Sequence, residues 1–183
     1  MKTKHLFLII LLLGVGKIVA QTYYYNTSQI FTENGYSYRC NTTIGGDVTL
    51  CNANNIYTDS LTFNYKDGTR VTNTNILWGY VPLTEKDNWT KQTCMSIVNN
   101  AFSATEKQRV LGEKFDINMT INSDNGHVIE VDFRFLKNSP FATIPISTYR
   151  TIEQNLKNQI WFTPTEVGSQ LLVLVCGWMH KVE

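Results

Sequence analysis

The chain has 183 residues, of which 43% are hydrophobic and 17% are charged, and its formal net charge is +1. This composition predicts a folded domain with a substantial core and excludes a disordered chain, a collagen and a coiled coil. A nearly neutral domain also lacks the basic surface that binding to nucleic acid or acidic lipid requires.

Residues 1–20 have the pattern of a secretory signal peptide. A short basic start, Met1–Lys4, precedes the apolar run Leu6–Val15, and the segment ends at the small residue Ala20. An apolar run of about ten residues is roughly 15 Å long as a helix, too short for a hydrocarbon core of about 30 Å. We therefore predict cleavage between Ala20 and Gln21 and no stable membrane anchor afterwards. The expected location is the periplasm, the cell surface or the medium.

Residues 21–91 predict an antiparallel β-meander. Turn pairs such as Asn34-Gly35 and Gly45-Gly46 separate stretches that are rich in Tyr, Thr, Ile and Val. A two-residue turn at Asn34-Gly35 would place Phe31 opposite Tyr38, which is a favourable aromatic pair across two strands. The predicted strands include Tyr36–Cys40, Ile56–Tyr65 and Thr69–Tyr80.

Cys40 and Cys51 flank the glycine pair and are candidates for a disulfide. A two-residue turn at Gly45-Gly46 would place the two cysteines opposite each other. The alternation of apolar residues instead places Cys40 on the same face as Leu50 and not as Cys51, and strand register follows the buried face. The sequence leaves this bridge open. The four cysteines contain no Cys-x-x-Cys pair, and we predict neither a metal site nor a cofactor.

The polar stretch Pro82–Lys91 contains Glu85 and Asp87 beside Trp89, a combination that suits a glycoside hydrolase. Such an enzyme needs two carboxyl groups held roughly 5–9.5 Å apart across the sugar. Two acids in one polar loop are better interpreted as a solvated connection. The chain also lacks a Gly-x-Ser-x-Gly motif and a cysteine with an activating motif, so no catalytic residue is predicted.

Two helices are predicted in residues 92–183. The first covers Gln92–Gly112 and contains a capping box at Ser103 and Glu106. The second begins at the N-cap Ser147. Its apolar residues recur on one face and are expected in the core: Tyr149, Ile152 and Leu156. Its charged pair is expected on another, solvated face: Glu153 and Lys157.

The predicted hairpin between these helices depends on Gly126. Apolar and polar residues alternate from Phe115 to Ile121 and again from Ile129 to Phe135. A two-residue turn would spoil both apolar faces, whereas a three-residue loop ending at Gly126 places Ile121 opposite Ile129. The third position of that loop is left-handed, which glycine adopts readily.

The stretch Phe115–Met179 resembles the C-terminal domain of TonB. The shared pattern is an alternating hairpin, a helix, a strand ending in an aromatic residue and a proline (Trp161–Pro164), a turn at Gly168, and the apolar strand Leu171–Met179. The resemblance implies a hairpin, helix and two-strand unit whose helix packs on an antiparallel sheet, and thus an α+β fold together with the meander. It also implies recognition of partners partly by strand addition. A proline-rich spacer is missing, so energy transduction is not implied.

The whole chain is similar to a family of short uncharacterised exported proteins from Bacteroides-type bacteria. The similar segments are Asn34–Tyr36, Ile97–Ser103, Tyr149–Glu153 and Trp161–Thr165. This family implies no catalytic residues. Asp59-Ser60-Leu61 resembles the sites that such bacteria O-glycosylate, which makes Ser60 a candidate glycosylation site.

The expected function is that of an exported, non-catalytic binding module. An exposed sheet edge would accept an extended partner, and the partner class left open by the sequence is a protein, a peptide or a glycan. The alternative is a small exported hydrolase that acts on glycans or peptides. Two facing carboxylates, or a nucleophile bonded to a base, in one pocket would favour the hydrolase.

Overall fold

The computed structural model describes residues 22–58 and 63–183. The predicted signal peptide, the cleavage position between Ala20 and Gln21, and the candidate glycosylation site Ser60 lie outside these ranges. A search of the described residues finds no helix with the length and apolar character needed to cross a membrane.

Within the described ranges, six strands form one open sheet: β1 (Gln29–Glu33), β2 (Tyr36–Thr42), β3 (Asp47–Asn52), β4 (Lys114–Asn122), β5 (Val128–Leu136) and β6 (Val173–Lys181). All neighbouring strands are antiparallel, and the order across the sheet is β1-β2-β3-β5-β4-β6. The pairing of β3 with β5 joins the two predicted regions, 21–91 and 92–183, in a single sheet.

The helices of the described chain are α1 (Thr74–Leu77), α2 (Thr90–Ala101), α3 (Ala104–Val110), α4 (Ile146–Gln159) and α5 (Glu166–Ser169), with a 3₁₀ turn at Pro140–Thr143. The predicted mixture of helix and antiparallel sheet is therefore observed. Helix α4 packs on β5, and α2 packs on α4, so both cover the same face of the sheet. The three apolar residues predicted for the buried face of the second helix have no exposed surface.

Of the two predicted helix caps, the structure confirms one and corrects the other. The first helical stretch divides into α2 and α3, and Ser103 and Glu106 form the predicted capping box at the start of α3. The N-cap of α4 is Pro145, two residues before the predicted cap, and Ser147 lies in the first turn of the helix. Proline suits this end of a helix, where the first backbone N–H groups have no partner within the helix.

The first hairpin follows its turn residues. Asn34 and Gly35 both have positive φ, and Phe31 lies opposite Tyr38 as predicted. The next turn differs, since four residues separate β2 from β3. Cys40 is therefore opposite Leu50, whereas Cys51 is opposite Arg39. Directly opposed residues share a face and successive residues alternate, so the two cysteines point to opposite faces and do not form the candidate disulfide.

Three predicted strands are not formed where the structure describes them, and each has a physical cause; residues 59–62 of the predicted strand Ile56–Tyr65 lie outside the described ranges. The chain at Ile56 turns because Glu130 accepts hydrogen bonds from the backbone N–H groups of Ile56 and Tyr57, which replaces a strand ladder. Within the predicted strand Thr69–Tyr80, Asn73 caps α1 by accepting from the N–H of Asn75. The third predicted strand, Trp161–Pro164, makes only isolated bridges to His127 and Thr84. Gly168 lies in α5 and not in an open turn.

The central hairpin has the predicted register except next to its loop. Ile117 is opposite Phe133 and Met119 is opposite Val131, but the register shifts after Thr120. Ile121 is consequently opposite Val128 and not Ile129. The shift brings Val128, which is 3% exposed, into the core.

Candidate functional site

Strand β6 is a long edge of the sheet. It has nine residues, and its pairing with β4 runs without a shift from Val173 to Lys181. Natural edge strands are usually protected by shortness, by bulges, by proline or by charged residues. Strand β6 has no proline, no bulge and, apart from its last residue, no lysine. The opposite edge, β1, has only five residues. The sheet is therefore least protected along β6.

The side chains of β6 add apolar surface to this edge. Val175 and Met179, on the face away from the helices, are 47% and 63% exposed. Among the described residues, the carbonyl oxygen of Asn64 accepts a hydrogen bond from the N–H of Leu172, just before the strand begins. An extended chain would thus meet both unpaired backbone groups and apolar side chains along most of β6.

A cleft of about 260 Å³ lies on the helix-covered side of β6. Strand β6 contributes Cys176 and Trp178, and β4 contributes Met119, which is opposite Cys176. The other walls come from α2, from the segment that precedes α2 in the chain, and from Phe162 in the segment that follows α4. The remaining lining residues are Thr84, Glu85, Asp87, Thr90, Lys91, Cys94 and Phe162. The interior of the cleft is apolar and rich in sulfur, whereas its rim is polar.

Gly126 helps to position one wall of the cleft. Its φ is +74°, and its carbonyl oxygen accepts a hydrogen bond of 2.9 Å from the N–H of Phe162. A Cβ atom at this position would lie 1.6 Å from the carbonyl oxygen of Phe162. The loop and the wall therefore approach as closely as they do because Gly126 has no side chain.

The two acids of the predicted loop lie at the rim of this cleft. Asp87 accepts hydrogen bonds from the N–H and the hydroxyl of Thr90, at 2.7 and 2.5 Å, and from the N–H of Trp89 at 3.0 Å. The hydrogen bonds from Thr90 lower the pKa of Asp87 below its usual range. Asp87 is thus suited to hold the start of α2 as a carboxylate and not to donate a proton. Trp89 packs against Trp161, with 4.5 Å between ring centroids.

The two cysteines of the cleft are poor nucleophiles. Burial, together with the nearby Cys176, raises the pKa of Cys94 to about 12. Burial also raises the pKa of Cys176. Nucleophilic cysteines need the opposite shift, because the thiolate is the reactive form.

A second polar cluster lies beneath α4, and sequence reasoning missed it. Glu153 has no exposed surface and accepts hydrogen bonds from Tyr38 and Arg150, the latter at 3.2 Å. Lys157 lies 3.5 Å from the same carboxylate. The predicted solvated position of Glu153 is therefore wrong. The signal was present, because Glu153 falls four residues after Tyr149 and hence on the apolar stripe of the helix.

The open face of the sheet carries a third cluster. Asp132 is 5% exposed and accepts hydrogen bonds of 2.9 Å from Asn118 and from Arg134. Glu130, on the same face, is covered by the turn at Ile56 that it holds. Both carboxylates therefore accept hydrogen bonds from side chains or backbone of the protein itself. The cleft and the β6 edge are the better candidates for binding.

Residues 21–178 match the domain of unknown function DUF5043. The chain belongs to the DUF5043 family. A crystal structure of a DUF5043 family protein from Bacteroides uniformis ATCC 8492 is 32% identical to it, with a TM-score of 0.78 over 88% of this chain and 89% of that one. No curated protein matches the chain. For this DUF5043 protein, the comparisons support the family expected from the sequence but do not show the TonB resemblance.

Proposed function

We propose that this DUF5043 protein is an exported, non-catalytic binding module that takes up an extended peptide as an additional strand along β6. The main support for this proposal is the β6 edge. It is a regular strand of nine residues with exposed apolar side chains and an adjoining cleft. Strand addition gains affinity from main-chain hydrogen bonds and specificity from pockets that receive alternate side chains. The resemblance of residues 115–179 to TonB implies the same mode of recognition.

The two faces of the added strand would meet different surfaces. Successive side chains of a strand point to opposite faces. One set would lie beside Val175 and Met179 on the open face, and the other set would lie beside Cys176 and Trp178 at the cleft. The apolar interior of the cleft favours an apolar side chain in that second set. Export rests on the predicted signal peptide, residues 1–20.

The proposal is tested with a displayed library of random nonapeptides and two edge variants. Val175→Lys places a charge on β6 at an exposed position, so it should weaken binding of selected peptides at least tenfold without loss of the fold. Ile30→Lys is the matched control, because Ile30 is 65% exposed on the opposite edge. Peptide binding should also slow amide hydrogen exchange along β6.

Two results would contradict this function. Equal loss of binding in both variants would show that the added charge weakens binding whether or not it lies on β6. Unchanged amide exchange in β6 on peptide binding would place the peptide elsewhere. Cleavage of the selected peptides in the same assay would support the hydrolase alternative instead.

A further inference from the structure

A hollow of about 300 Å³, here called the open-face hollow, lies above β4, β5 and β6 on the face of the sheet away from the helices. Its polar side chains are those of Asp116, Asn118 and Arg134. Asp116 lies directly opposite Arg134 on β5 and opposite Met179 on β6. The Cβ atoms of opposed residues lie about 4.5–5.5 Å apart, so a small ligand in the hollow can contact the carboxylate and the guanidinium together.

Asp132, at the base of this face, fixes two of these side chains. Its Oδ1 atom accepts hydrogen bonds of 2.9 Å from Nδ2 of Asn118 and from Nε of Arg134. Asp132 is 5% exposed, so it acts as an internal support and not as a contact for a ligand. The amide oxygen of Asn118 lies over Gly177, where a Cβ atom would clash with it. Side chains that are held in place in this way lose little conformational entropy on binding.

The open-face hollow presents both kinds of hydrogen-bonding group to a ligand. The carboxylate of Asp116 is exposed and accepts hydrogen bonds. Arg134 is also exposed, and its terminal N–H groups donate, since only Nε is used on Asp132. Asn118 donates to Asp132 through its nitrogen, and its oxygen remains an acceptor. A donor thus lies among two acceptors in one small space.

The charges around this space balance. A second hollow of about 500 Å³ adjoins the first, because both are lined by Asp116, Arg134 and Met179. The charged side chains that line the two hollows are two acids and two bases, Asp47, Asp116, Lys114 and Arg134. A polyanion or a polycation gains no net attraction to such a surface. The charge pattern therefore fits an uncharged ligand.

We propose that the open-face hollow binds an uncharged carbohydrate through Asp116, Asn118 and Arg134. A hydroxyl group both donates and accepts, so neighbouring hydroxyls of one sugar ring can bond to the carboxylate and to the guanidinium at the same time. Met179 is 63% exposed beside both hollows and offers apolar surface to the C–H face of the sugar. An extended peptide fits this face less well, because the backbone groups of a sheet point within its plane and form no ladder with a chain above it.

This site goes beyond the proposed uptake of a peptide, which uses the edge of β6 and not the face of the sheet. The protein is applied to an array of uncharged oligomers of glucose, mannose, xylose and N-acetylglucosamine, with sulfated and uronate-containing oligosaccharides beside them. We expect binding to uncharged members of the array. Calorimetric titration with the tightest of these should give the same affinity at about 0.1 M and about 1 M salt, because an uncharged ligand carries no charge for salt to screen.

Two variants test the residues of the hollow. Asp116→Ala removes an exposed carboxylate, so it should preserve the fold and weaken carbohydrate binding about tenfold or more, as expected for a hydrogen bond to a charged group. Gly177→Ala should also weaken binding about tenfold, because the added Cβ displaces the amide oxygen of Asn118. Glu33→Ala is the control. Glu33 is an exposed carboxylate on β1 that shares the helix-covered face with Phe31, and its loss should leave the affinity unchanged.

Three results would overturn the proposal. The first is an array on which the protein binds only sulfated or uronate-containing oligosaccharides, or none at all. The second is an unchanged carbohydrate affinity in both Asp116→Ala and Gly177→Ala. The third is a loss of affinity in Glu33→Ala equal to that in Asp116→Ala. Because the probe is an oligosaccharide, none of these results depends on whether β6 accepts a peptide.

Discussion

Replacement of Gly126 by alanine measures how much the close approach of the β4–β5 loop to Phe162 contributes to stability. The left-handed backbone of Gly126 costs an L-residue roughly 1–2 kcal/mol. The added Cβ would begin 1.6 Å from the carbonyl oxygen of Phe162, a distance that real Cβ atoms do not reach. Backbone must therefore move, at the cost of about 1 kcal/mol for the hydrogen bond from Phe162 and about 1–3 kcal/mol for overpacking. We expect a total loss of about 3–6 kcal/mol.

Gly112→Ala is the matched control for that measurement. Gly112 has a φ of +79°, close to that of Gly126, but a Cβ atom there would meet nothing within 4 Å. Gly112→Ala should therefore lower the free energy of unfolding only by the conformational cost of about 1–2 kcal/mol. Urea unfolding of both variants gives the two free energies of unfolding. Equal losses would refute the argument, because the backbone cost alone would then account for Gly126.

Three further predictions concern charge and processing. Glu153→Ala should lower the free energy of unfolding by about 3–5 kcal/mol, because it leaves the buried hydroxyl of Tyr38 and the partly buried Arg150 without their carboxylate partner. Lys157→Ala should cost at most about 1 kcal/mol, and equal urea midpoints for the two variants would contradict this. Asp87→Ala should remove about 1 kcal/mol at neutral pH. The pKa of Asp87 is lowered, so its stabilising effect is present above the ordinary carboxyl pKa and is lost as the pH falls through the lowered value. Thermal melts of Asp87→Ala and the unaltered protein should therefore converge in acid. Mass spectrometry of the native protein should find Gln21 as the first residue; intact chain starting at Met1 in a membrane fraction would contradict cleavage after Ala20.

The burial of the Glu153 carboxylate was not predicted from the sequence. Its spacing placed it on the apolar stripe of α4, yet its charge and its neighbour Lys157 indicated a solvated face. The structure buries it because Tyr38, from a strand more than a hundred residues earlier, donates a hydrogen bond to it. A helix sequence cannot specify such a partner, since the partner depends on which strand lies beneath the helix.

The sequence by itself determined the features that depend on near neighbours along the chain. The positive φ angles at Asn34, Gly35 and Gly126 and the capping box at Ser103 are of this kind. Each is set by a turn or a helix end that involves only a few adjacent residues.

Tertiary structure alone decided the order of the strands, the exposure of β6 as an edge and the meeting of Cys94, Met119 and Cys176 in one cleft. It also turned the predicted strand at Ile56 into a loop, because the carboxylate of Glu130 took the place of a strand partner. These features arise from contacts between residues that are distant in sequence. Periodicity shows which side of an element is buried, but it does not show which element covers that side.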